Sequence, residues 1–274
     1  MAFDPVSPVG AASAQQPTVA LRHRPSVTQM GDAQLAALGQ AITAAQGLSD
    51  DRGYQAWAGI HGLPLPMYCQ HGTPTFLPWH RAYLYFFEKA LQDRVAGVTL
   101  PWWDWTAEHE VGVPAAYATE QVAGHPNPLF SSPIQPGGRE PGGSDHTVRQ
   151  PAGPDTGPLP DPAQVDAVIA LDDFIDFQTQ PEDIHNNIHV WVGGTMSDIA
   201  TAAYDPLFWA HHAMIDRIWR LWQLAHPAAG PPEVLVGQAL RPFQMTVSQT
   251  LDMTALGYDY AMATAGAAGP GAAS

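Results

Sequence analysis

The chain has 274 residues, of which 45% are hydrophobic and 14% charged, and this length allows a single domain with a large buried core. Its 26 acidic residues outnumber its 11 basic residues, which gives a formal net charge of -15. Nucleic acids and anionic membranes bind to basic patches, so this balance predicts no nucleic-acid and no membrane partner.

The N-terminal residues 1–26 contain several prolines and predict an extended arm. They lack the basic segment and the continuous apolar stretch of a secretory signal, and no apolar run in the chain is long enough to span a bilayer. We therefore expect a cytoplasmic location by default, with export assisted by a partner protein as the alternative.

Apolar spacing predicts helices separated by loops rich in proline and glycine. The helix over 79–95 is apolar on more than one face, which is typical of a buried helix. Residues 110–162 show no periodicity, so this long segment is either functional or packed on the surface. In chain order, the predicted elements are helices over 27–48 and 52–60, a loop over 62–78, the helix over 79–95, the extended segment "LPWWDW", helices over 165–177, 184–192 and 206–225, and a disordered tail over 261–274.

Six of the 12 histidines form two groups that are spaced like metal ligands. The first group is His61, His71 and His80, and the second is His185, His189 and His212. Residues four apart share a helix face, so His185 and His189 can hold one ion together. Imidazoles without thiolates or carboxylates suit zinc, copper, iron or nickel, although each histidine taken alone is more often a capping or core residue.

Three positions close to these histidines refine this interpretation. A zinc protease would carry glutamate directly after the first histidine of its pair, where this chain has Asn186. Asp216 lies four residues after His212, so we expect its carboxylate to accept the free N–H of that imidazole. The alternative for Asp216 is a surface pair with Arg220. His211 points about a quarter-turn away from His212, so both cannot face one metal equally.

Two stretches of the chain resemble the copper motifs of tyrosinases, catechol oxidases and molluscan-type hemocyanins. "HGTPTFLPWHRAYLYFFEKAL" with "LPWWDW" is similar to the first motif, and "IHNNIHVWVGGTMS" with "YDPLFWAHHAMIDRIWRLWQ" is similar to the second. The resemblance implies a mainly α fold over residues 27–260. In that fold, a four-helix bundle surrounds a dicopper centre, with long irregular loops and few short strands. It also implies that the first histidine group binds one copper ion, the second group binds the other, and O2 is the co-substrate.

The only cysteine of the chain has no partner for an internal disulfide. Cys69-Gln70-His71 resembles the Cys-x-His sequence of fungal tyrosinases and some hemocyanins, in which the cysteine sulfur is bonded to the histidine ring. The resemblance implies the same thioether here, and the alternative is a buried free cysteine.

Further residue roles come from the same resemblance. Family members that hydroxylate monophenols hold a water with a glutamate and an asparagine, which places Glu182 and Asn186 in this role. Bacterial members carry that glutamate further upstream, where this chain has Phe177. The other interpretation of Glu182 is that its charge complements a helix N-terminus. The resemblance also places Ile199 and Met196 at the mouth of the substrate pocket.

The "GYDY" sequence with Tyr258 and Tyr260 resembles a Tyr-x-Tyr motif on which an arginine near the N-terminus stacks, here Arg22 or Arg24. The expected activity is hydroxylation of small monophenols and oxidation of o-diphenols to o-quinones. Two alternatives are an o-diphenol or o-aminophenol oxidase without monophenol activity, and an oxygen carrier of the hemocyanin type. A copper-delivery protein is a possible partner, and no oligomeric state is predicted.

Overall fold

The computed structural model describes residues 21–64, 66–107, 112–151 and 157–261. Within these residues the chain is mainly helical and has four short strands. In chain order the elements are β1 (Arg22–Arg24), α1 (Asp32–Gln46), α2 (Tyr54–His61), α3 (Phe76–Gln92), α4 (Ala115–Ala118), β2 (Gln121–Val122), β3 (His125–Pro126), α5 (Pro162–Ile169), α6 (Phe174–Val192), α7 (Pro206–Ala225), α8 (Glu233–Val236), α9 (Val247–Thr250) and β4 (Tyr258–Tyr260). Short 3-10 helices lie at Val27–Gln29, Pro136–Gly138, Gly194–Ser197 and Ala202–Tyr204.

Helices α2, α3, α6 and α7 form a bundle whose interior is filled by aromatic side chains. Phe87 of α3 stacks on Trp209 of α7 with ring centroids 3.5 Å apart, and Tyr54 of α2 meets the same tryptophan edge-on. Phe177 of α6 stacks on Trp222 of α7 at 4.6 Å. Such large rings bury much apolar surface and prefer offset or edge contacts, so they hold the four helices together. The predicted fold class, mainly α with few short strands, is confirmed.

Two predicted helix boundaries shift because of local chemistry. Helix α3 begins at Phe76 rather than at residue 79, since Pro78 lies in the first turn, where its missing N–H has no partner to lose. Helix α1 begins at Asp32 rather than at residue 27, because Gly31 in extended conformation precedes it and Val27–Gln29 forms a separate 3-10 turn.

The two helices predicted over 165–177 and 184–192 are divided at the wrong place. Asp173 caps a new helix by accepting the N–H groups of Ile175 (2.7 Å) and Asp176 (3.1 Å), so the break follows Ile169. Helix α6 then runs without interruption through Pro181, which removes one hydrogen bond from the helix. The continuous helix carries Glu182, His185 and His189 on one rigid element.

The long segment without periodicity is tied to the bundle by Arg149. Its guanidinium forms an ion pair with the buried carboxylate of Asp205 at 2.6 Å and also donates to the carbonyls of Tyr117 and Leu129. Asp205 itself caps α7 by accepting the N–H of Leu207. The described part of this segment therefore packs against the start of a bundle helix, while residues 108–111 and 152–156 lie outside the described residues.

Strand β1 pairs in parallel with β4, so the start and the end of the described chain meet. The register places Arg24 opposite Tyr260. The guanidinium of Arg24 lies 3.9 Å from the ring centroid of Tyr258 and donates to Glu88 at 2.8 Å. The predicted stacking of an arginine on the Tyr-x-Tyr motif is thus present, and Arg24 makes it. Residues 1–20 of the predicted arm and 262–274 of the predicted tail lie outside the described residues.

Asp216 has other partners than the expected imidazole. Its buried carboxylate accepts from Arg81 of α3 at 2.5 Å and from the hydroxyls of Tyr258 (2.9 Å) and Tyr260 (2.8 Å). Nδ1 of His212, by contrast, has no hydrogen-bond partner. The predicted contact between Asp216 and His212 is therefore wrong, because two arginines and two tyrosines outcompete it for one carboxylate. The alternative partner Arg220 pairs with Asp259.

None of the described helices is both long enough and apolar enough to cross a membrane.

Replacing Asp216 with Asn tests whether this buried cluster stabilises the fold. The change leaves the buried positive charge of Arg81 without its carboxylate, while Arg24 keeps its pair with Glu88. We therefore expect the free energy of unfolding of the metal-free protein to fall by about 3–5 kcal/mol. Urea unfolding measures it. The control Asp50→Asn removes a carboxylate from the exposed pair with Arg52 and is expected to leave the unfolding midpoint unchanged. Equal midpoints for both variants would contradict the prediction.

Candidate functional site

The first histidine group comes together from three different elements. His61 ends α2, His71 lies in the loop before α3, and His80 lies in the second turn of α3. Their ring centroids are 5.2 to 5.8 Å apart. His61 and His80 are buried and His71 is half-buried. His61 and His80, which are 19 positions apart in the sequence, thus lie next to each other between the helices.

The second group is more tightly arranged. Nε2 of His212 on α7 lies 3.1 Å from Nε2 of His185 and 3.3 Å from Nε2 of His189, both on α6. A tetrahedral ion bound to imidazoles at roughly 2.0–2.1 Å sets its ligand atoms roughly 3.3 Å apart. The spacing of these three nitrogens therefore fits one metal ion.

Hydrogen bonds to carbonyl groups set the tautomers of two rings. Nδ1–H of His80 donates to the Phe76 carbonyl at 2.9 Å, and Nδ1–H of His189 donates to the Met196 carbonyl at 2.7 Å. Because a carbonyl only accepts, Nδ1 carries the proton in both rings and Nε2 keeps its lone pair. This is the arrangement in which a partner outside the metal site orients a ligand imidazole.

The remaining ring nitrogens are unusual for a protein interior. Both ring nitrogens of His61 and Nε2 of His80 are buried and have no hydrogen-bond partner. Buried polar atoms are normally paired, so a cluster of unpaired nitrogens indicates a missing ligand. Burial lowers the pKa of all six rings, to about 4 for His71 and His189. The rings are therefore neutral, which is the state that binds a metal.

The two groups adjoin each other. The rings of His80 and His212 stack with centroids 4.6 Å apart, and those of His71 and His185 stack at 5.5 Å. The ligand nitrogen of His212 is within 4.8 Å of candidate nitrogens from both groups. Two ions held by these rings would consequently be close neighbours.

His211, which sequence reasoning set aside, also belongs to the site. Its ring is fully buried and stacks on His185 with centroids 5.2 Å apart and planes 12° apart. It meets the ring of His189 edge-on at 4.9 Å. His211 therefore packs against two rings of the second group, and its nitrogen lies within 4.8 Å of theirs. Its position next to His212 was the only sequence signal for this role.

Cys69 lies beside the first group. Its Sγ is within 4.8 Å of candidate ligand nitrogens of His61 and His71. Burial raises the pKa of the Cys69 thiol to about 11, so the sulfur stays protonated. The structure brings the cysteine and the histidine of the Cys-x-His sequence together.

Glu182 connects α6 to the loop that carries His71. Its Oε1 accepts the Gly72 N–H at 2.5 Å, and its side chain is largely buried. Burial raises the pKa of Glu182, and the Gly72 hydrogen bond partly opposes this shift. Asn186 turns its Oδ1 toward Nδ1 of His185 at 3.1 Å.

An open cavity of about 240 Å³ leads from the surface to the histidines. Met196 and Ile199, the residues predicted for the pocket, both line it. Glu182 is absent from the lining that the described residues form. The lining residues are His61, His71, His185, Asn186, His189, Val190, Met196, Ser197, Ile199 and Ala202.

One wall of the cavity is formed by Met196, Ser197, Ile199 and Ala202, and close backbone contacts hold it in place. Leu63 N–H donates to the Ala200 carbonyl at 2.9 Å, and a Cβ at Gly62 would lie 2.1 Å from the same oxygen. Gly194 has φ 56° and approaches the Val148 carbonyl so closely that a Cβ would lie 2.1 Å from that oxygen. Only glycine fits at these two positions, so the wall is fixed against both the His61 helix and the 148–150 segment.

Comparisons with known proteins agree with this geometry. The sequence profile described as the common central domain of tyrosinase matches residues 51–225. Over 212 residues the chain is 32% identical to a tyrosinase of Streptomyces antibioticus. This match covers 66% of this chain and 77% of that protein. Over 228 residues, or 74% of the chain, it is 36% identical to hemocyanin G-type, units Oda to Odg, of Enteroctopus dofleini. It spans only 8% of that hemocyanin and 39% of a Sepia officinalis hemocyanin.

Solved structures give the same relationship. A functional unit from octopus hemocyanin superposes with a TM-score of 0.74 at 28% identity, covering 87% of this chain and 68% of that one. A mushroom tyrosinase superposes with a TM-score of 0.72 at 24% identity, covering 89% and 90% of the two chains, which shows the shared fold.

The profile match covers more than half of the chain and contains all six histidines of the two groups. The chain belongs to the tyrosinase family, whose members use a dicopper centre with O2 and act on phenolic substrates.

Proposed function

We propose that this protein is a copper oxidoreductase that uses O2 to hydroxylate monophenols and to oxidise o-diphenols to o-quinones. The observation that carries the proposal is the pair of adjoining histidine groups at the base of an open cavity. In this proposal His61, His71 and His80 hold the first copper, and His185, His189 and His212 hold the second. The bound copper pair supplies the O2 chemistry.

The protein's own residues position the reactants. The Phe76 and Met196 carbonyls fix the rings of His80 and His189, so each Nε2 points into the site. The apolar side chains of Met196 and Ile199 keep water away from a phenol ring placed above the histidines. Orientation in a dry pocket of this kind is the main contribution that a protein makes to cofactor chemistry.

Proton transfer from a monophenol needs a base within reach of its hydroxyl group. We assign this role to Glu182, acting through a water that it shares with Asn186. Gly72 occupies one carboxylate oxygen, and a carboxylate has a second oxygen that accepts further hydrogen bonds. The burial of Glu182 favours proton uptake, since desolvation disfavours its charged form.

A second candidate is an oxidase of o-diphenols or o-aminophenols without monophenol activity. The Gly72 contact favours it, because a glutamate that holds the His71 loop has a structural role that requires no bound water. The hemocyanin relatives suggest a third candidate, an oxygen carrier. The open cavity supports an enzyme over a carrier, since Val190 is 60% exposed and Ile199 is 45% exposed at its mouth.

We further propose a thioether between Cys69 and His71. The sulfur loses its hydrogen, a ring carbon of His71 loses another, and an S–C bond forms. The two electrons and two protons reduce O2, the co-substrate, to hydrogen peroxide. The link would immobilise the His71 ring and remove an oxidisable thiol from a site that handles O2.

Oxygen uptake by the copper-loaded protein tests the proposed activity. We expect uptake with a monophenol, after a lag, and with its matching catechol. Glu182→Gln retains an acceptor for Gly72 but removes the base, so it should lower the monophenol rate about 10²-fold or more and the catechol rate far less. Asp183→Asn, which removes the adjacent exposed carboxylate, is the control. Uptake on the catechol alone by the unaltered protein would support the second candidate.

Removing one proposed ligand from the second group should remove copper and activity together. His189→Ala and His212→Ala are expected to bind less than two copper ions per chain, measured by metal analysis after dialysis, because the remaining two imidazoles cannot complete the site. His125→Ala, which removes an exposed histidine of β3, should bind the full amount. Unchanged copper content in the first two variants would contradict the ligand assignment.

Intact-mass analysis tests the thioether. The copper-loaded, oxygen-exposed protein should be lighter than its sequence mass by two hydrogen atoms, because the link replaces an S–H and a C–H bond. Cys69→Ala should have its full sequence mass. A full mass for the unaltered protein after exposure to copper and O2 would rule the link out.

A further inference from the structure

The mouth of the cavity offers no charge to a bound ligand. Apart from the histidines at its base, the lining side chains are apolar or neutral: Asn186, Val190, Met196, Ser197, Ile199 and Ala202. No arginine or lysine is among the described residues that line it. A carboxylate group at the mouth would therefore find no cationic side chain to pair with.

Two exposed branched side chains stand at the entrance. Val190 follows His189 on α6, and Ile199 lies on the wall that is fixed to Gly62 and Leu63. They are 60% and 45% exposed, although most large apolar side chains among the described residues are buried. A small exposed apolar surface beside a cavity is typical of a ligand-binding groove.

Two aspartates lie close to the residues of this entrance. Asp198 lies between the lining residues Ser197 and Ile199, and Asp183 precedes the lining residue Asn186 by three positions on the same helix face. Both aspartates are exposed, and the whole chain carries a formal net charge of -15. These charges repel an anion that approaches the mouth.

Arginines elsewhere in the described fold give no compensation at the entrance, because none of them lines it, and Arg217 lies over the ring of Trp102. Arg149 is paired with Asp205, and Arg220 is paired with Asp259. Arg24 and Arg81 are fully buried beside carboxylates. Their positive charges are thus neutralised where they lie.

We infer that the cavity selects phenols and catechols whose ring substituent is uncharged and apolar, and discriminates against those that carry a carboxylate. With the hydroxyl group toward the histidines, a substituent para to it reaches Val190 and Ile199 at the mouth. This inference rests on the proposed function and names the substrate class of the same site.

Four catechols whose ring substituents differ in length or charge test it with the copper-loaded protein: 4-propylcatechol in comparison with 4-methylcatechol controls for substituent length, and dopamine and 3,4-dihydroxyphenylpropionate carry the two charges. We expect kcat/KM to be highest for the two uncharged catechols and at least about tenfold lower for the carboxylate. Equal values for 4-propylcatechol and the anionic catechol would overturn the inference and leave the proposed function standing. Oxidation of none of the four by protein that holds its copper would instead overturn the proposed function.

Val190→Arg places a cation at the mouth and should raise the kcat/KM ratio of the anionic to the neutral catechol about tenfold, with the gain shrinking as salt is added. Ile199→Lys tests the same effect from the opposite wall. Val234→Arg is the matched control, because it adds the same charge at a valine that is 79% exposed on α8, outside the cavity lining. An equal rise in Val234→Arg would assign the effect to net charge and contradict the inference.

Discussion

Six neutral imidazoles, four of which have a buried ring nitrogen without a hydrogen-bond partner, occupy the centre of a bundle filled mainly by aromatic side chains, and the rest of the structure serves to keep them there. An unpaired buried polar atom costs about 1–3 kcal/mol, so a cluster of them is tolerated only if something binds them. Copper binding would supply that compensation and would couple metal affinity to folding. Without metal, the unpaired nitrogens of the site therefore lower the stability of the bundle.

The aromatic core and the buried charge pairs hold in place the helices that carry these histidines. Arg81 directly follows His80 on α3, and Asp216 follows His212 by one turn on α7. Their 2.5 Å ion pair therefore fixes the depth at which one proposed ligand from each group faces the other. Strands β1 and β4 complete the cluster with Arg24 and two tyrosines, so both ends of the described chain help to align these helices.

Access to the histidines is the feature that separates the candidate functions. An enzyme and an oxygen carrier can use the same ligand set, but an enzyme must admit an organic substrate. Here the wall beside the cavity is held by backbone contacts at Gly62 and Gly194, while exposed valine and isoleucine side chains surround the opening. In the proposed function, the rigid wall orients a bound phenol, and the uncharged apolar rim favours phenols without a carboxylate.

The sequence by itself determined the helical class and the approximate positions of the main helices. It also identified the six histidines as two groups, because residue type and residue spacing are local properties that can be read without knowing the contacts. It misplaced the break before α6, since Pro181 is a local signal against a helix and only burial on both sides of it overrides that signal.

Only the tertiary structure decided which distant groups meet. The sequence suggested His212 as the partner of Asp216, but Arg81 lies 135 positions away and contacts that carboxylate. The Gly72 amide donates to Glu182, which lies 110 positions further along the chain. His211 packs on the ring of His185, which the sequence had grouped with His212. Hydrogen bonds and charge pairs of this kind are chosen by competition among all groups that the fold brings within reach, and no local pattern records that competition.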